Sequence, residues 1–188
     1  MDATHNHSGG PRRSRQSMAF ETCWRSLPRD GRLPHKRDFN PAAVPALLRY
    51  FMLVEFRSGP DAALPIRVVG DAIAARIQKD IRGQDYMQFL SPDIVAGALD
   101  SARQMFEQPC GLWQITPLHF ERGIAVNMEV TAFPLLGEPA PFIMVLAVPR
   151  DDFLRPEPAA GKAMLATHAD EWRFLDVGAG LPEAVAAD

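Results

Sequence analysis

Ile124-Ala125-Val126-Asn127-Met128-Glu129-Val130-Thr131 alternates in character almost residue by residue. Ile124, Val126, Met128 and Val130 share one side of an extended chain and Asn127, Glu129 and Thr131 the other, because successive strand side chains point to opposite faces. The pattern predicts an antiparallel strand with one buried face. Downstream, Phe142 to Val148 is apolar at every position, as in a central strand covered on both faces. Upstream, Leu112 to Phe120 is a third strand candidate, with Glu121-Arg122-Gly123 as the turn between.

Before these three strands the pattern changes period. Ser91 is a natural N-cap, Pro92 fits a first helical position and Asp93 complements the positive end of a helix dipole. Ile94, Val95, Ala98, Leu99, Ala102, Met105 and Phe106 form the apolar stripe that follows, ended by Pro109 and Gly111. Earlier still, Phe51 to Arg57 and Ile66 to Val69 read as two strands joined at Ser58-Gly59-Pro60-Asp61. A short helical segment from Ala72 to Gln78 leads to a turn at Asp80 and Gly83. Asn40-Pro41 opens a turn or two of helix, distorted at Pro45, which has no amide proton to give. Phe20, Trp24 and Leu27, at i, i+4 and i+7, make one face of a helix between Ser17 and Leu27. So short a helix has to dock on the core or on another subunit. Two strands, short helices, a long helix and three strands predict an α+β domain with an antiparallel sheet and helices on one face.

With 188 residues, 47% hydrophobic and 23% charged, the chain suits one globular domain. A net charge of −3 gives no general attraction to phosphate backbones or anionic lipid, so neither nucleic acid nor membrane is an expected partner. Cys23 and Cys110 lie far apart outside any C-x-x-C pair, which leaves a disulfide framework or metal site without support. No run reaches the length of about 18 apolar residues needed for a membrane span. Glu21 and Arg25 interrupt the place where an export signal's apolar segment would follow Arg12, Arg13 and Arg15. A cytoplasmic setting is expected. Residues 1–16 read as a disordered tail, 17–150 as the domain and 151–188 as a loose extension, with a short docked segment near 171–177.

Trp24-Arg25-Ser26-Leu27, Gly31-Arg32-Leu33-Pro34 and Arg37-Asp38-Phe39-Asn40-Pro41 stand in the order of a Trp helix, a Gly-x-x-Pro turn and an Arg-Asp-x-Asp-Pro motif. Val44-Pro45-Ala46-Leu47-Leu48, Ile66-Arg67-Val68-Val69-Gly70, Asp80 to Gly83, and Glu129 with Pro134-Leu135 follow in register. In these segments, from about Met18 to Pro149, the chain resembles the bacterial PAS-like family common in alphaproteobacteria, whose members are short and often stand alone. Asn40 replaces the usual Asp, and Glu55 stands where a shorter Asp is more usual. The resemblance implies a PAS-like five-stranded antiparallel sheet and a sensory or protein-interaction role. It implies no particular ligand.

Candidate sites are few. His35, His119 and His168 come without a haem-attachment motif, and Asp71 to Leu90 contains no cysteine for a photoactive flavin, so no cofactor is assigned. Gly-x-Ser-x-Gly, His-Glu-x-x-His and Gly-rich phosphate loops are missing from the sequence, and Glu55, Arg67 and Glu129 read as a structural ionic cluster. No catalytic or metal-binding residue is expected. Val68, Ile77, Met105, Ile115, Met128 and Met144 are the candidates for an apolar ligand pocket. Phe20, Trp24 and Leu27 are the candidate partner or dimer surface. The expected function is a sensory module that binds a small ligand or a regulatory protein and signals through protein contacts, as a homodimer. The alternatives are a small enzyme using the interior cavity and a purely structural dimerisation domain.

Overall fold

The computed structural model describes residues 13–120, 125–150 and 163–182. Helix α1 (Arg15–Ser26) leads through short 3-10 turns to strands β1 (Phe51–Glu55) and β2 (Ile66–Val69). Helices α2 (Asp71–Ile77) and α3 (Val95–Glu107) follow, then β3 (Cys110–Phe120), β4 (Ala125–Leu135) and β5 (Phe142–Pro149). Five antiparallel strands run in the order β2-β1-β5-β4-β3. Both outer partners of β3 come from the extension: β6 (Ala163–Ala166) pairs with its far end and β7 (Glu171–Asp176) with its near end. The five-stranded expectation therefore describes the core, and the sheet carries seven strands among the described residues. Most of the expected tail, residues 1–12, and the Glu121-Arg122-Gly123 turn lie outside the described residues. Part of the loose extension, residues 151–162 and 183–188, does so too.

Strand parity sorts the core into two layers. Met52, Val54, Met128, Val130, Ile143 and Val145 face α2 and α3, while Leu53, Phe133, Leu135, Met144 and Leu146 face α1. Helices α2 and α3 thus share one sheet face, as expected, and the N-terminal helix α1 covers the other. The polar side expected for β4 is also buried: Glu129 is 2% and Thr131 0% exposed. Partners on α1 and β3 make this possible, because a buried polar group is costly only when its hydrogen bonds are unmet. Glu129 Oε1 accepts from the Trp113 indole at 2.6 Å and from the Ser14 backbone N–H at 2.9 Å. The Thr131 and Ser17 hydroxyls bond at 2.6 Å.

Helix α1 begins earlier than its apolar spacing suggests, since Ser14 is its N-cap and accepts from the Ser17 N–H at 3.1 Å. Its Trp24 stacks on Phe133 with ring centroids 5.1 Å apart and donates from its indole to the Pro134 carbonyl at 2.9 Å. At Pro34 and Leu136, backbone bonds of 2.8 Å tie the loop after α1 to the end of β4. Gly70 closes the Val-Val-Gly strand end because a Cβ there would meet the Leu48 and Arg49 carbonyl oxygens at 2.3 and 2.4 Å. The expected long helix splits at its start into a 3-10 turn, Pro92–Ile94, and α3 proper. Ser91 supplies no side-chain cap; its hydroxyl donates to Asp93 at 2.5 Å instead.

Candidate functional site

Between α3 and the sheet lies a cavity of about 410 Å³, within the size range of small-molecule sites. Ile94 of the preceding turn and Gly97, Ala98, Ser101 and Met105 of α3 form one wall, and Leu112, Gln114, Val130 and Val145 of the sheet form the other. Gly97 and Ala98 carry almost no side chain, so the helix face is too shallow to fill the space above the sheet. A smaller chamber of about 80 Å³ lies toward α2, bounded by Ile73, Arg76, Ile77, Ile81, Phe89 and Met128. Tyr86, Val130 and Val145 belong to the walls of both. Tyr86 follows a turn built by Asp85, which accepts from the Leu64 and Met87 backbone N–H groups at 3.1 and 3.0 Å. Burial raises its phenol pKa, so the hydroxyl stays protonated and neutral.

The extension completes the larger cavity. Thr167, His168, Ala169 and Trp172 line it, and His168 Nε2 lies 2.7 Å from Asp93 at the start of α3. The Ser91 hydroxyl bond, and further His168, hold the Asp93 carboxyl below its ordinary pKa. Backbone bonds fix the same segment: Ser91 N–H donates to Ala166 O at 2.8 Å and Asp170 N–H to Ile115 O at 2.8 Å. Trp172 is 57% exposed and packs edge-on against Phe174 at 5.4 Å. On the opposite face Leu175 and Val177 join the α1 core, and Arg25 donates to the Asp176 carbonyl at 2.7 Å. The segment 171–177 therefore touches both layers.

Of the six expected pocket residues, Ile77 and Met128 line the smaller chamber and Met105 the larger. Ile115 and Met144 point to the opposite layer and pack beneath α1, because each is one residue out of phase with the cavity side of its strand. Val68 is 44% exposed on the edge strand β2. Of the two dockings expected for Phe20, Trp24 and Leu27, the structure has them on the core: the three are 0%, 0% and 8% exposed against the chain's own sheet.

The expected ionic cluster divides in two. Glu55 binds Arg57 and Arg67 at 2.7 and 2.8 Å, whereas Glu129 belongs to the α1 contact. His35 accepts from the Arg37 backbone N–H at 3.2 Å and His119 lies 3.2 Å from the Thr167 hydroxyl. Both cysteines are buried, and burial, with Asp176 adding to it, pushes the Cys110 thiol up to about 12. Tyr86, Gln114, Asp93 and Trp172 were not among the expected site residues. A signal for Gln114 exists in the alternation Leu112, Gln114, Thr116, Leu118, which sets an amide and a hydroxyl between two leucines on the inward side of β3.

A search of curated proteins finds no match. The sequence profile of the PAS domain family matches residues 12–147, a span that contains α1, β1 to β4, α2, α3 and all but the last two residues of β5. With the β2-β1-β5-β4-β3 order and the chamber beneath α3 in place, the chain belongs to the PAS domain family.

Proposed function

We propose that this chain is a sensory module in which a small molecule occupies the cavity beneath α3 and the response leaves through contact with another protein. One observation carries the reading: the segment that lines the rim of the cavity, Thr167 to Trp172, continues into β7, whose Leu175 and Asp176 carbonyl hold α1. A ligand that shifts β7 would alter both. Helix α1 is the element such a shift would loosen, and Phe20, Trp24 and Leu27 the apolar surface it would release to a regulatory protein or to a second copy in a homodimer. The role is binding, not catalysis, in keeping with walls that are mostly apolar. The setting proposed is the bacterial cytoplasm, among short members of the alphaproteobacterial type. No helix among the described residues is long and apolar enough to cross a membrane.

Native mass spectrometry of the chain purified from its own cells, beside a denatured sample, tests the reading. A mass that is retained in the native sample and lost on denaturation is the expected result. An unladen chain in every preparation, with no change in α1 hydrogen exchange when cell extract is added, would overturn it.

A further inference from the structure

The walls of the larger cavity restrict what it can hold. Its polar lining residues are Tyr86, Asp93, Ser101, Gln114, Thr167 and His168. Asp93 and His168 are side-chain exposed by 60% and 75% and bind each other at the rim. The Thr167 hydroxyl meets His119. Tyr86, Ser101 and Gln114 remain, and their side chains form no hydrogen bond with the described residues. Their polar atoms are not sealed inside protein either.

We propose that this cavity takes an uncharged, largely apolar molecule bearing one hydrogen-bonding group, held by the Tyr86 hydroxyl and the Gln114 amide. This rests on the cavity reading above. A hydroxyl and a carboxamide each donate and accept, so together they satisfy an alcohol, ketone or amide without asking for charge. Gln114 reaches the space from β3, where its neighbours across the ladder are Val130 and Trp172. Tyr86 lines both chambers, as Val130 and Val145 do. The burial that keeps Tyr86 protonated suits it as a donor to a neutral oxygen. A carboxylate would exchange hydration for these apolar walls, at a high desolvation cost. The lining cation Arg76 belongs to the smaller chamber.

The test uses the 15N-labelled full chain followed by heteronuclear NMR, titrated with octan-1-ol and 1-naphthol and, separately, with octanoate and 1-naphthoate. At least one alcohol is expected to bind at least tenfold more tightly than its matching anion. Tyr86→Phe and Gln114→Leu are each expected to weaken that alcohol by about three- to tenfold, the worth of one neutral hydrogen bond. Equal or tighter binding of the anions would overturn the proposal and leave the cavity reading standing. Binding of none of the four, by a chain whose spectrum shows it folded, would count against both. Unchanged alcohol affinity in both variants would remove the two residues as anchors. The comparison of alcohol with anion is made on the unaltered chain, so it stands even if a variant fails to fold.

Discussion

The two faces of one sheet are packed in opposite ways. Beneath α1, Trp24, Phe20, Phe133, Met144 and Leu146 are fully buried, and the Phe133 ring stacks on Trp24 at 5.1 Å and meets Phe20 at a tilt at 5.9 Å. Beneath α3, the same strands face a space of about 410 Å³. The difference follows from the side chains each helix presents: α1 offers large rings at i and i+4, whereas α3 offers Gly97, Ala98, Ser101 and Ala102. That run of small residues, between Ile94 and Met105, leaves room above the sheet. One layer is therefore filled and the other leaves unfilled volume.

The sharpest way to break this contrast is Trp24→Ala. Removing a fully buried ring that also donates to Pro134 is expected to cost about 3–5 kcal/mol, read as a lowered midpoint in denaturant unfolding. The same chemical change then tests both faces. A Cβ on Gly111 would meet the Phe133 ring at 2.4 Å, so Gly111→Ala is expected to destabilise by about 1–3 kcal/mol. A Cβ on Gly97 meets nothing within 4 Å, so Gly97→Ala is expected to stabilise α3 by about 0.5–1 kcal/mol. Equal signs in the two melts would mean the faces do not differ as described.

A smaller effect is expected at Glu55. Burial alone would raise its pKa, but hydrogen bonds from Arg57 and Arg67 outweigh that and hold it below 4.5. A depressed carboxylate stabilises the fold above its unfolded pKa and loses that contribution as pH falls through the lower folded value. Because Arg57 and Arg67 are 49% and 40% exposed, water screens the pair and the contribution is below about 1 kcal/mol. Glu55→Gln is expected to flatten the acid limb of the stability profile below about pH 4.5 by that amount.

The succession of elements along the chain was legible because it rests on periodicity and turn residues, which are local. Layer assignment was not, because Glu129 and Thr131 read as a solvent face until Ser14, Ser17 and Trp113, remote in the chain, supply their hydrogen bonds. The pocket was half legible for a related reason. Met128 announces its side through β4's alternation, but in β5 every residue is apolar, so Met144 carries no mark of which layer it faces. Strand β6 stayed hidden in Ala163–Ala166, a segment too small and plain to stand out from its Ala-rich surroundings. The burial of Phe20, Trp24 and Leu27 on the chain's own sheet needed the position of Phe133, since an apolar helix face alone fits a sheet or a second subunit equally well.

The eight methionines offer the most direct test of a hollow face beside a filled one. Met52, Met105 and Met128 face the α3 layer and Met144 the α1 layer. In a chain labelled with 13C at the methionine methyls, a small apolar molecule such as octan-1-ol should shift the Met105 signal most, with Met52 and Met128 moving less and Met144 not at all. No shift at Met105, or a shift at Met144 as large as at Met105, would contradict a guest site confined to the space beneath α3.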